Sequence, residues 1–221
     1  MVDLSNAPPR IRALKQDHRG FPVPWFVQWL DGDKSAPYGV GRPDFRIIDA
    51  SKMALALRQP RCWVCGGVMG KHRVFVIGPV CAINRVISEP PSHRECAEFS
   101  AANCPFLANP RMRRNEKNIP DDCQEAAGFG LKRNPMTVCL WESRYRPFRT
   151  EVGNKGILFS LGDPVRVDWI HQGRPATRAE VLHSIDTGYP TLIDLARLQG
   201  QDALEELDRY RERAMKLLPA A

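Results

Sequence analysis

No apolar run in this chain approaches the roughly 18 residues that a membrane-spanning helix needs, so nothing points to a helical membrane partner. The opening residues, Met-Val-Asp-Leu-Ser-Asn-Ala-Pro-Pro, lack the apolar stretch of a secretory signal, and the expectation is a cytoplasmic protein with reduced thiols. Internal repeats and low-complexity tracts are absent as well, which argues against solenoids and unfolded linkers. Full disulfide pairing is impossible with 7 cysteines, and two of them form a C-x2-C pair, so metal binding is favoured over a disulfide framework. Acidic residues are scarce in the front part. Residues 1–150 carry 23 Lys and Arg against 14 Asp and Glu, whereas residues 151–221 carry 9 against 11. A basic front suits a polyanion partner as well as it suits a solvated surface.

What is present is led by two ligand pairs, Cys62-Trp-Val-Cys65 and His93-Arg-Glu-Cys96, separated by 27 residues. Soft donors in two x2 pairs fit a closed tetrahedral zinc site of the Cys3His type. Ser92 and Glu95 form S-x-x-E, which predicts a capping box and a helix whose first turn carries His93 and Cys96 on one face. A Cys-x-x-Cys knuckle with Gly66-Gly67 behind it, a hairpin-length stretch and a ligand-bearing helix together predict a treble-clef zinc finger over 60–107.

Around it, 1–24 is Pro-rich and polar and is expected as an extended arm. Trp25–Leu30 and Asp44–Asp49 read as strands, with Asp31-Gly32-Asp33 as a turn and Ser51 capping a short helix. Val74–Ile77 reads as a buried strand, with Val80–Ser88 as its return. Residues 108–136 form a long basic loop, and a loop of that length is usually functional or disordered. Strands are expected at 138–142, 157–161 and 165–170, the last two joined by a Gly162-Asp163 hairpin turn. Over 174–221 the pattern predicts three helices, opened by a Thr177–Glu180 capping box, divided before Thr191, and capped again at Asp202. The expected fold is therefore α+β: a domain over 25–173 in which the finger is embedded against a small mixed or antiparallel sheet, followed by C-terminal helices.

Several chemistries compete for these residues. An iron–sulfur cluster would use Cys62, Cys65, Cys96 and either Cys81 or Cys104. A deaminase-like zinc hydrolase would use Glu95 of His93-Arg-Glu95 as proton shuttle, but its two halves come in the wrong order and Cys96 is placed to close the fourth position. A ββα nuclease would draw on His72 and Asn84, without the flanking motif it needs. Cys81, Cys104, Cys123 and Cys139 read as small buried hydrophobes. For nucleic acid, Arg111, Arg113 and Arg114, then Lys132 and Arg133, then Arg144, Arg146 and Arg149 interleaved with Tyr145 and Phe148, supply cations for phosphates and rings for stacking. Arginine and aromatics also suit a protein partner.

The runs Phe75-Val-Ile-Gly-Pro-Val-Cys-Ala-Ile-Asn-Arg85, Glu89-Pro-Pro-Ser-His93, Cys104-Pro-Phe-Leu107, Pro110-Arg-Met-Arg-Arg-Asn-Glu116 and Gly173-Arg-Pro-Ala-Thr177 resemble a family of uncharacterised proteins from phages and bacterial genomes. The likeness extends from about Pro24 to about Val181. It implies one coherent fold and a prokaryotic or viral setting, in which a host protein is a further partner, and it brings no catalytic residue with it. The sequence thus predicts a zinc-containing binding protein, with nucleic acid as the leading partner and the zinc hydrolase as the alternative.

Overall fold

The computed structural model describes residues 4–115, 117, 119, 133–144, 149–153 and 156–220, with backbone alone at 149–153 and 156. The chain opens with a single turn, α1 (Pro9–Arg12). Strands β1 (Val27–Asp31), β2 (Lys34–Ala36) and β3 (Arg42–Ile48) then pair in the order β2-β1-β3. Helix α2 (Ala50–Arg58) leads into the Cys62–Cys65 turn. Next come β4 (His72–Ile77), α3 (Pro79–Asn84), β5 (Val86–Ile87), α4 (Arg94–Asn103) and α5 (Pro105–Ala108). The remainder is β6 (Val138–Arg144), β7 (Arg149–Gly153), β8 (Gly156–Ser160), β9 (Arg166–His171), β10 (Arg174–Pro175), α6 (Arg178–Gln199) and α7 (Gln201–Met215). The protein is α+β, with helices at its C-terminal end, and every pairing among the described strands is antiparallel.

A four-stranded sheet, β10-β9-β6-β4, organises the molecule. Side chains alternate across a strand, so each strand of this sheet serves two layers. Val74, Val138 and Leu140 project to one side and pack on Ala97 and Ala101 of α4. Phe75, Cys139, Trp141 and Trp169 project to the other and pack on residues of α3, α6 and α7. Burial on both faces is why Val74–Ile77 and Val138–Trp141 read as continuous apolar runs without polar alternation. A separate three-stranded sheet, β5-β8-β7, joins the strand that follows α3 to two strands from much later in the chain.

The N-terminal stretch folds back instead of extending: Ala7 and Ile11 pack on Cys62, Val64, Met69 and Cys96. The expected return strand at 80–88 is instead α3 followed by the two residues of β5, because Pro79 at the first helical position favours a helix start. Gly162-Asp163 does not make a hairpin. β8 pairs with β5 and β7, β9 pairs with β6, and Asp163 is tied by ion pairs to Arg85 (2.7 Å) and Arg213 (3.2 Å). Asp49, not Ser51, caps α2, accepting from the Ser51 and Lys52 amides.

The C-terminal region holds two helices, not three. Helix α6 runs through Pro190, with Ile185, Tyr189, Leu192 and Ala196 buried on one side of the interruption or the other. That burial outweighs the hydrogen bond a proline removes. Gly200, at φ 111, forms the junction, and α7 starts there with no side-chain cap from Asp202. The Thr177–Glu180 capping box is present. Arg174 and the Thr177 backbone hold the Glu180 carboxyl down to about 2, below its ordinary 4.5. A depressed carboxylate stabilises the fold above its unfolded value and loses that contribution as pH falls. Between about pH 4.5 and 2, thermal midpoints of the wild type should therefore fall more steeply than those of Glu180→Gln.

Candidate metal centre and basic face

The Cys62–Cys65 turn is built by Gly66, whose φ of 72 lies in the left-handed region that costs glycine least. The Cys62 amide donates to the Gly67 carbonyl (2.8 Å) and the Gly66 amide to the Cys62 carbonyl (2.8 Å). A Cβ at Gly66 would stand 2.7 Å from the Trp25 ring, so this position is closed to side chains on steric grounds too. The Trp25 amide donates to the Val64 carbonyl, and the Trp63 amide donates to the Pro91 carbonyl. That second bond ties the turn to the segment entering α4. Ser92 forms an antiparallel bridge with Val74, which fixes the approach of His93 to the sheet.

Together these contacts bring Cys62, Cys65, His93 and Cys96 into one cluster with all four donor atoms within 4.8 Å of one another. Cys62 and Cys96 are buried. The Cys65 and His93 amides both donate to Cys62 Sγ, at 3.4 and 3.3 Å. His93 Nδ1 lies 3.3 Å from Cys65 Sγ, while Nε2 lies 3.0 Å from the Val68 carbonyl. An Nε2–H donated to that carbonyl selects the tautomer in which Nδ1 turns its lone pair to the cluster, which is how metal-bound histidines are oriented. As bare side chains the groups compete for protons. Contacts with Cys65 and then Cys96 draw Cys62 far below the usual thiol range, and contacts with Cys62 and then Cys65 push His93 up to about 10. Two further cysteines and an imidazole gathered around the Cys62 sulfur form a donor set able to hold a metal ion.

The structure departs from the expected capping box here. His93 itself is the N-cap of α4 and makes no side-chain cap bond. Ser92, bridged to Val74, stands one residue before the N-cap position and two before the helix begins. The Glu95 carboxylate turns outward to Arg10 Nε at 2.9 Å. Cys96 belongs to the cluster, so four protein donors converge there, while Glu95 is not among them and pairs with Arg10.

Arg94, between the two helical ligands, fastens α4 to the sheet. Its guanidinium pairs with Glu142 of β6, with Asp168 of β9 (2.9 Å) and with Glu98 one turn on (3.0 Å). His72 Nδ1 sits 2.6 Å from the other Glu142 oxygen. Burial alone would raise the Glu142 carboxyl, but hydrogen bonds from Arg94 and His72 outweigh it and lower the group. Arg94→Leu strands a buried carboxylate, and removing one partner of such a pair typically costs about 3–5 kcal/mol. Arg94 keeps some solvent contact, so a loss of roughly 2–3 kcal/mol is expected in denaturant melts, discounted for that screening.

Among the described residues, neither Cys81, Cys104 nor Cys139 joins a metal-holding group. Burial pushes the Cys81 thiol up to about 11 and raises Cys104 and Cys139, as befits small apolar side chains. Cys123 lies outside the described residues. Asn84 Oδ1 accepts from the Val86 amide and His72 is engaged by Glu142.

The basic residues fall into two groups. Arg113 and Arg133 face each other in an antiparallel bridge, and the Asn134 amide donates to the Met112 carbonyl (2.9 Å), so the two ends of the long loop are joined. Arg114 donates to the Arg46 carbonyl (3.1 Å), and Arg133 to the Thr187 carbonyl (2.9 Å). Arg111, Arg113 and Arg114 are exposed. None of Arg111, Arg113, Arg114, Arg133 or Arg144 has an ion-pair partner among the described residues, whereas Arg10, Arg19, Arg46, Arg85, Arg94, Arg166 and Arg174 all do. Half-buried Glu89 has a carboxyl raised by desolvation, an effect the Arg114 charge partly offsets. Arg144 ends β6, opposite His72. Since β6 rises about 3.4 Å per residue, roughly 20 Å of strand separate Arg144 from Val138 at the loop end. Lys132 and Arg146, with Tyr145 and Phe148, lie outside the described residues, and Arg149 is described only as the backbone start of β7.

Among the described residues no helix is long and apolar enough to cross a membrane. Comparison with protein-family models, with curated proteins and with solved structures finds no match.

Proposed function

We propose that the protein is a zinc-containing nucleic-acid-binding protein in which a structural, treble-clef zinc site holds a basic face in shape. The donor set supports zinc: three thiolates and one imidazole are the ligands of closed tetrahedral sites. With Zn–S near 2.3 Å and Zn–N near 2.0 Å, tetrahedral edges run about 3.5–3.8 Å, an adjustment of about 1 Å from the widest donor spacing here. The order of parts supports a treble clef: a Gly-rich knuckle, an antiparallel contact between β4 and Ser92, and a helix carrying the last two ligands. Because all four positions are taken by protein and Glu95 pairs with Arg10, the site stabilises structure and leaves no coordination position for substrate.

One observation carries the binding reading. Arg111, Arg113, Arg114 and Arg133 are gathered at one loop base, positioned through backbone contacts and without an ion pair among the described residues. Cations held in place but unneutralised suit phosphates. Fluorescence anisotropy with single- and double-stranded DNA and RNA across a salt series tests this. Affinity that falls steeply and linearly in log–log form supports the reading, and flat traces at low salt remove it.

A further inference from the structure

Among the described Phe, Tyr and Trp residues Phe45 alone is exposed, at 41%. Every other one of them is buried or half-buried. Its position ties it to the basic face. Phe45 lies on β3 between Arg42 and Arg46, and β3 is an edge strand of its sheet. The Arg46 carbonyl on that edge accepts from Arg114, and the Arg46 guanidinium donates to the Asn115 and Lys117 carbonyls. The loop base with its unpaired arginines is thus docked on the residue adjacent to the exposed ring.

Asp44 and Arg46 bond to each other side chain to side chain, and between them Phe45 lies where the register of β3 against β1 shifts, so the strand bulges and Phe45 is left out of the paired ladder. Arg114 reaches this bulge through the Arg46 carbonyl. Phosphates lying along Arg111, Arg113 and Arg114 would therefore pass beside a ring that is left 41% exposed. A solvent-facing ring next to positioned cations matches what single strands require: backbone neutralisation plus a π-face on which an unpaired base stacks. In a duplex the bases are already stacked on one another and closed to such a ring.

We infer that the basic face takes single-stranded nucleic acid, with Phe45 as a stacking platform for one base; this rests on the nucleic-acid reading proposed above. The test compares a labelled oligo-dT with an abasic oligomer of the same length and charge, using the full chain. Wild type should prefer oligo-dT by roughly five- to a hundredfold, the range of a single base–aromatic stack. Phe45→Ala should bring the two probes to within about twofold by removing that stack, and Phe45→Trp should restore the preference. The side chain is exposed, so matching thermal melts will confirm that both variants fold. Equal binding of the two probes by the wild type, or a preference that survives Phe45→Ala, overturns the stacking role and leaves the phosphate contacts standing. A ring that instead seats a partner protein gives that same equality. Failure to bind either probe at low salt overturns the basic-face reading itself, and this inference with it.

Discussion

Cys62→Ser should abolish stoichiometric metal binding and unfold the layer formed by α1, the 62–67 turn and the start of α4. Cys62 Sγ receives two backbone amides, is fully buried, and lies under Ile11, so it is the centre of that layer. The layer has a small apolar core of its own, Ala7, Ile11, Val64 and Met69 with the cysteines. Apparent zinc-binding energies of about 10–16 kcal/mol in finger peptides match or exceed the roughly 5–15 kcal/mol that keeps a whole domain folded. Metal analysis beside a thermal melt reads both effects, and a strong chelator added to the wild type should reproduce them. Cys104→Ser, outside the cluster, should keep the metal. Full metal content and an unchanged melt in Cys62→Ser would refute the assignment.

The second large effect concerns binding. Replacing Arg111, Arg113, Arg114 and Arg133 together with alanine should lower the log–log salt slope by about 3–4, near 0.7–0.9 for each phosphate no longer neutralised. At moderate salt this corresponds to a loss of affinity on the order of a hundredfold or more. Arg166→Ala and Arg174→Ala serve as controls, because their guanidiniums are already committed to Asp168 and Glu180. A uniform loss across all sequences is expected, since phosphate contacts position a nucleic acid without reading it. An unchanged slope in the fourfold variant would move the binding surface elsewhere, with Arg144 at the far end of β6 as the next place to look.

The ligand cluster was legible in the sequence because donor chemistry and spacing are local. Two x2 pairs and a glycine-rich turn are enough to propose it before any folding. The buried strands β4 and β6 were legible for a similar reason, since burial on both faces leaves an unbroken apolar run. What could not be read depended on distant partners. Ser92 and Glu95 have the spacing of a capping box, yet one is committed to Val74 and the other to Arg10, and neither contact is visible in a four-residue window. Pro190 looked like a helix boundary because its penalty is local, while the burial that overrides it comes from the packed core. Nothing in His93-Arg-Glu-Cys96 marks Arg94, because its carboxylates come from the distant strands β6 and β9. Phe45 was hidden for the opposite reason: nothing in Asp44-Phe-Arg-Ile-Ile-Asp49 distinguishes a ring that is left uncovered from one that is packed.

The most direct test of the account is the metal content of the purified protein, followed by exchange of the bound ion for cobalt. One zinc per chain, with a cobalt spectrum of tetrahedral geometry and thiolate charge transfer that is lost in Cys96→Ser, is the predicted result. No stoichiometric metal, or a cobalt spectrum that Cys96→Ser leaves unchanged, would contradict a closed site of Cys62, Cys65, His93 and Cys96.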